Sequence, residues 1–278
     1  RAEIALRQRQ DFEFKLAIEL KRRKEAEQST QTAILLKERA KACATAYPFR
    51  QFIYESFPII EKGREFKNNW HIDAIAEILQ AATVGDIKNL ILNIPRRTMK
   101  SLLVCVMWQS WVWTFLPQTR WVFTSYSAEF AKRDSEKTKD LIQSEYYQSR
   151  WGSTVKLTTE RRGKIENTAG GFRVVFRIGK GVGEGGDFVV ADDPNAIDEV
   201  ESETILDKTN KGWAEVSFNN VTDRSTAVRA IIQQRTAPND LTGSIIEDNS
   251  LKDLYSHLCL AMKYDEDHPY KNSISKPF

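Results

Sequence analysis

The sequence contains few of the residues from which metal centres and disulfide frameworks are built. Its 278 residues include only three cysteines and three histidines. The cysteines, Cys43, Cys105 and Cys259, are odd in number and far apart, which argues against a disulfide scaffold or a cysteine-based zinc site and favours a reducing compartment. The histidines, at positions 71, 257 and 268, are too scattered for a histidine-rich metal site.

Long hydrophobic runs are also missing. The most apolar stretch, residues 102–116, is interrupted by Gln109 and Ser110 and is too short to span a bilayer. The mean hydropathy of −0.48 likewise argues against a membrane protein. The 41 basic and 38 acidic residues leave a net charge of +3. This mild excess permits a nucleic-acid partner but does not require one.

Glycine and proline are absent from residues 1–46, which are rich in Arg, Lys, Glu, Gln and Ala. This composition predicts a helical N-terminal extension. A second helical stretch is expected over residues 47–83. From about residue 87, short runs rich in Val, Ile and Phe alternate with helical segments. The alternation predicts an α/β fold, in which helices cover both faces of a mostly parallel sheet.

The first motif is a loop between a predicted strand, residues 88–94, and a predicted buried helix, residues 100–115. A phosphate-binding loop requires this context, because backbone N–H groups and a helix N-terminus then face the phosphates. Lys100 would reach the β- and γ-phosphates of ATP, and the Ser101 hydroxyl would bind Mg²⁺. Met99 stands where such loops carry glycine. The predicted nucleotide-binding residues of the loop are Pro95, Arg96, Arg97, Thr98, Met99, Lys100 and Ser101.

The second motif is an apolar strand, residues 187–191, that ends in Asp192 and Asp193. Both acids can reach one site where the chain turns. Asp192 would hold Mg²⁺, and Asp193 would orient and deprotonate the attacking water. The alternative, equally favoured by this motif alone, is a turn that starts at Asp193 and a helix capped by Asp192.

The third motif is Gln234, which follows a predicted strand over residues 227–233. An amide at this position can sense the γ-phosphate. The alternative is a strand that ends in surface polar residues, followed by a helix capped by Asn239 or Asp240. All three motifs lie at the carboxyl ends of predicted strands, where open α/β sheets bind ligands.

Together these motifs resemble the N-terminal ATPase domain of the large terminase subunits of tailed bacteriophages. The resemblance runs from about residue 47 to residue 264. It includes the loop at residues 93–101, the glycine-rich run at 183–187 before the two acids, and Gln234 with the segment 240–243. It implies a P-loop NTPase of RecA/ASCE-like fold at residues 47–264, preceded by the helical extension at 1–46.

The start and end of the sequence predict a fragment. The chain begins with Arg1 and ends in a polar, linker-like run. In the terminase family a nuclease domain follows the ATPase domain. We therefore expect residues 265–278 to be a linker towards a nuclease domain that this sequence does not contain.

The resemblance also implies a function and site residues. It implies an ATPase that drives double-stranded DNA into a procapsid, with the catalytic residues Lys100, Arg97, Asp193 and Gln234 and with Trp70 and His71 near the adenine. Lys180, in a glycine-containing loop, is a candidate cation acting on the neighbouring subunit. The alternative, equally favoured, is that the glycines only form a tight turn and Lys180 is solvated. The implied partners are the portal protein, the small terminase subunit and copies of the chain in a ring, expected to be a pentamer. The implied location is the host cytoplasm, on the portal of the procapsid.

Two other functions stay open at this point. The first two motifs would also serve a P-loop helicase or another nucleic-acid translocase. A scaffold that binds DNA or protein without hydrolysing ATP is the second alternative, and Met99 in the loop is the feature that favours it. Release of phosphate from ATP separates this scaffold from the two enzymes.

Overall fold

The computed structural model describes residue 21 and residues 31–161, 163–179, 183–197 and 200–260. The first three helices are α1 (residues 31–46), α2 (Phe49–Ile60) and α3 (Trp70–Thr83). The helix α4 starts at residue 100, is π-helical over Leu102–Trp108 and continues as an α-helix over Gln109–Trp113. The later helices are α5 (Ala128–Gln143), α6 (Glu145–Trp151), α7 (Glu203–Asn219) and α8 (Leu241–Glu247), with a 3₁₀ turn at Lys252–Leu254.

Eight strands form one sheet in the described part of the chain. They are β1 (Asn89–Asn93), β2 (Arg120–Ser125), β3 (Leu157–Arg161), β4 (Lys164–Asn167), β5 (Phe172–Arg177), β6 (Phe188–Asp192), β7 (Val228–Gln233) and β8 (Ser256–Cys259). Their order is β3-β4-β5-β2-β6-β7-β1-β8. Six neighbouring strands, from β5 to β8 in this order, pair in parallel, whereas β4 is antiparallel to both β3 and β5 at one edge. The predicted α/β class with a mostly parallel sheet is confirmed.

Helices cover both faces of this sheet, as predicted. One face packs with α2, α3 and α4 around Trp108, which lies edge-on to Trp121 of β2 and Phe188 of β6 at centroid distances of 5.0 and 5.4 Å. The other face packs against α7 and α8 through residues that include Trp213 and Ile245. The central strands β1, β6 and β7 are apolar on both sides because both sides are buried.

The structure differs from the sequence predictions in three elements. The single helical stretch expected over residues 47–83 is two helices, α2 and α3, separated by residues 61–69, where Gly63 has a φ of 75°. Both α6 and the β3–β4 hairpin had no predicted counterpart. The strands of the hairpin, with sequences LTTER and KIEN, carry few apolar residues, so their pattern is weak.

The N-terminal extension is helical over residues 31–46, whereas residues 265–278 and most of residues 1–30 lie outside the described part. The domain boundaries at residues 46 and 264 therefore stay predictions. Among the described helices, none is both long and apolar enough to cross a membrane.

The burial of β1 leads to a stability prediction. Leu92, fully buried just before the candidate loop, should lower the free energy of unfolding by about 2–5 kcal/mol when changed to Ala, because the change opens a cavity. Leu254, which is 59% exposed, provides the matched control, and Leu254→Ala should stay within about 0.5 kcal/mol of wild type. Urea unfolding followed by circular dichroism measures both; equal losses would contradict the assigned burial of β1.

Candidate nucleotide-binding site

The candidate loop leaves the buried end of β1 and turns twice through left-handed backbone. Arg97 and Met99 have φ values of 65° and 66°. The Thr98 hydroxyl donates to the Pro95 carbonyl at 2.8 Å, which closes the turn. The Met99 carbonyl then accepts from the N–H of Leu103 at 2.9 Å, at the start of α4. Met99 therefore adopts the conformation that glycine adopts without strain, so its side chain does not prevent this backbone path.

A cleft of about 460 Å³ opens above this loop. It lies at the carboxyl ends of β1, β2, β6 and β7, where the loop meets the turns after these strands. Eight predicted residues line it: Arg96, Arg97, Met99, Lys100, Ser101, Asp192, Asp193 and Gln234. The remaining lining residues were not predicted: Leu102, Ser125, Tyr126, Phe130, Arg133, Asn195 and Ile197.

An ion pair between Lys100 and Asp193 lies at the floor of the cleft. Lys100 is 6% exposed, and its ammonium donates to Oδ1 of Asp193. The same oxygen accepts from the backbone N–H of Gln234 at 3.3 Å. Asp193 itself has a φ of 41°. The loop, the turn after β6 and the tip of β7 are thus joined through one carboxylate.

Asp192, the last residue of β6, is suited to a divalent cation. Burial, together with the neighbouring Asp193 carboxylate, raises the pKa of Asp192 to about 7, whereas Lys100 and a hydrogen bond with the Ser101 side chain act in the opposite direction. Its Oδ1 atom is buried and has no hydrogen-bond partner among the described residues. A carboxylate oxygen without a partner, beside a serine hydroxyl, matches the oxygen ligands that Mg²⁺ prefers. Ser101 and Asp192 therefore fit a magnesium site.

Buried polar groups lie next to Asp192. Ligand atoms of Cys105 on α4, Asp134 on α5 and Asp192 lie within 4.8 Å of one another. Fully buried Arg173 of β5 donates to the carbonyl of Cys105 and to Gln109, and burial lowers the pKa of its guanidinium to about 10. The motifs did not identify this layer. The arginine inside the apolar strand β5 was the signal available for it.

Some predicted residues lie outside the cleft lining. Pro95 and Thr98 form the base of the loop. His71, whose pKa is lowered by burial, lies behind the loop with Nε2 3.3 Å from the carbonyl of Thr98. Trp70 packs against the main core. Lys180 lies outside the described residues. The roles predicted for these residues stay predictions.

The solved structures that are similar to this chain include two large terminases. The large terminase of bacteriophage HK97 is 15% identical, with a TM-score of 0.48 over 77% of this chain and 44% of that chain. The large terminase of a thermophilic bacteriophage, solved in complex with ADP, is 10% identical, with a TM-score of 0.41 over 80% of this chain and 47% of that chain. The chain thus spans less than half the length of either protein.

Two other comparisons gave no matches. No protein-family model matches the chain. A search of curated proteins also finds no match.

The left-handed backbone at Met99 leads to a prediction for two substitutions. Met99→Ile should lower the free energy of unfolding by about 1–3 kcal/mol, because a β-branched residue is strained at positive φ. Met99→Gly should stay within about 1 kcal/mol of wild type, since relief of strain offsets the greater freedom of the unfolded chain. Thermal unfolding of the two variants measures the difference. A Gly variant less stable than the Ile variant would contradict the assigned loop geometry.

Proposed function

We propose that the chain is the ATPase part of a viral DNA-packaging motor, in which ATP hydrolysis drives double-stranded DNA into a procapsid. The observation that carries the proposal is the convergence of Lys100, Ser101, Asp192, Asp193 and Gln234 on one cleft. These residues come from three separate motifs, at the ends of β1, β6 and β7. The sequence resemblance to terminase ATPase domains supports the same function.

Lys100 and Asp193 would have different roles in hydrolysis. Lys100 neutralises negative charge on the transferred phosphoryl group. To do so, its ammonium leaves the Asp193 carboxylate and binds phosphate oxygens. Released from this ion pair, Asp193 accepts a proton from the attacking water. The water oxygen bonds to the γ-phosphorus, and the bond to the β-phosphate oxygen breaks, which yields ADP and phosphate.

Asp192 and Ser101 would hold Mg²⁺. When bound there, Mg²⁺ supplies charge neutralisation for the phosphate oxygens. Arg96 and Arg97 are exposed at the mouth of the cleft, where they can pair with further phosphate oxygens. Gln234 would sense the γ-phosphate and move with the Asp193 carboxylate that its backbone N–H contacts.

The proposed partners follow from the packaging function. They are double-stranded DNA, the portal protein, the small terminase subunit and copies of this chain in a ring of five. Lys180 is the proposed cation that one subunit offers to its neighbour. The proposed place of action is the host cytoplasm, on the portal of the procapsid. ATP-dependent DNA uptake into portal-bearing procapsids tests these proposals.

A scaffold without ATPase activity is the second candidate, since Met99 replaces the usual glycine. The left-handed backbone of Met99 weakens this alternative, because the loop follows a path that glycine would also follow. Phosphate release by the wild-type chain distinguishes the two candidates.

Lys100→Ala tests the phosphate loop. ATP turnover should fall by about 10²–10³-fold, since a preorganised charge at the transferred group is lost. Lys62, exposed between α2 and α3, provides the control, and Lys62→Ala should turn over ATP like wild type. Phosphate release at saturating ATP measures both variants; near-normal turnover by Lys100→Ala would show that the loop is misassigned.

Asp193→Asn should separate binding from hydrolysis. The amide cannot accept a proton from water, so turnover should fall by about 10²-fold or more. Binding of a fluorescent ATP analogue should be retained or become tighter, because Lys100 no longer has to leave a carboxylate.

The exposed acid Asp253 provides the control for this variant, and Asp253→Asn should leave both measurements unchanged. Loss of nucleotide binding in Asp193→Asn would mean that Asp193 is a metal ligand or a structural residue, and not the base.

A further inference from the structure

A layer of buried polar side chains lies behind the cleft, on the face of the sheet that α7 and α8 cover. Asn93 and Gln233 are register partners at the ends of β1 and β7. Because strand side chains alternate, they share a face with Ile91 and Ile231, which pack with the apolar residues of α7 and α8. The two amides therefore lie side by side on the face opposite α4.

Asn93 uses both ends of its side chain in this layer. Nδ2 lies 3.2 Å from the backbone carbonyl of Gln233 and 3.1 Å from the hydroxyl of Thr242 on α8, and Oδ1 lies 2.7 Å from Nε2 of His257 on β8. A carbonyl can only accept, so the contact with Gln233 fixes the orientation of the Asn93 amide. Asn93 thus ties the end of β1 to β7, α8 and β8.

Unlike Asn93, Gln233 and Asn195 have buried polar side-chain atoms without a hydrogen-bond partner among the described residues. Gln233 is 2% exposed, and neither its Oε1 nor its Nε2 has a hydrogen-bond partner among the described residues. Asn195 accepts the N–H of Leu241 at 3.0 Å through Oδ1, but its buried Nδ2 has no partner in the same part of the chain. Buried amides without partners destabilise a fold, so their presence calls for a reason.

We infer that Gln233 is a positioning residue for ATP turnover, whose amide pairs with Asn195 when nucleotide fills the cleft. The inference rests on the proposed function. Oε1 of Gln233 is an acceptor without a partner, and Nδ2 of Asn195 is a donor without one, among the residues that the structure describes. Asn195 lines the cleft, and the residue after Gln233 contacts the Asp193 carboxylate.

Asn195 and Asn93 both contact the start of α8. Asn195 holds the N–H of Leu241, and Asn93, the register partner of Gln233, holds the hydroxyl of Thr242. A hydrogen bond formed between Gln233 and Asn195 would therefore change the support of the first turn of α8. Nucleotide binding in the cleft would in this way affect a helix on the face of the sheet opposite α4.

Gln233→Leu gives the sharpest test, because the two possible roles predict different results. The proposal expects kcat to fall about tenfold, the scale of a coupling between two sites, with KM changed by less than about threefold. The variant should nevertheless be more stable, with Tm raised by about 2–4 °C, since a buried amide without a partner is removed. Ile231→Leu, on the same face of β7, is the control and should keep the kcat of wild type.

Hydrogen exchange of residues 241–247 provides a second readout. A non-hydrolysable ATP analogue should change the exchange of this segment in wild type and in Ile231→Leu, but not in Gln233→Leu. Asn195→Asp keeps the acceptor for Leu241 and removes the Nδ2 donor, so the hydrogen exchange of this variant should likewise not respond to the analogue. Asn195→Asp decides the matter if Gln233→Leu does not fold.

The outcomes separate the inference from the proposed function. Wild-type ATP turnover together with unchanged kcat and unchanged exchange response in the variants would overturn the inference alone. Absence of nucleotide binding by the wild-type chain would overturn the proposed function, and the inference with it.

Discussion

The ion pair between Lys100 and Asp193 joins the separate parts of the candidate site. A lysine ammonium that is 6% exposed requires a counter-charge, because a buried charge without one is very unfavourable. Lys100 starts α4, and Asp193 follows β6, which is separated from β1 by β7. The pair therefore spans the end of β7 and brings Gln234 into the same site. Loop, acid and amide come together because the strand order puts β7 between the other two strands.

The parts of the fold that the sequence predicted are those buried on both faces. The strands β1 and β6 differ from the predicted bounds by one residue at each end, and β7 differs by one residue at its start. Continuous branched and aromatic residues make such strands visible in a sequence. The β3–β4 hairpin had no such signal, because its edge strands are polar and their pairing is decided by contact with β5. The π-helical start of α4 was also not predicted, because a residue pattern indicates a helix but not the spacing of its hydrogen bonds.

The candidate site, like the fold, was predicted only in part. The sequence predicted Lys100, Asp192 and Gln234 as site residues from their places after strands, and the structure brings these residues to one cleft. Asn195 and Arg173 escaped prediction because their partners are remote in sequence: Asn195 holds a residue of α8, and Arg173 contacts α4 from β5. No local spacing encodes such pairs. The roles of Trp70 and His71 came from the family resemblance alone, and the structure places both outside the cleft lining.

Unfavourable local features are concentrated around this cleft. In the described part of the chain, the non-glycine residues with left-handed backbone are Arg97, Met99 and Asp193, all of which line it. Each such conformation costs about 1–3 kcal/mol and persists only where the surrounding structure enforces it. The carboxylate of Asp192, with one oxygen unpaired, and the unpaired amide of Gln233 add to this cost within the same described ranges. The apolar core, in contrast, is closely packed around Trp108. The stable core therefore holds a strained, incompletely hydrogen-bonded site, and a ligand that brings phosphate oxygens and a divalent cation offers partners for Lys100 and Asp192. Such a ligand would bind the folded chain and not the unfolded one, which stabilises the fold by mass action.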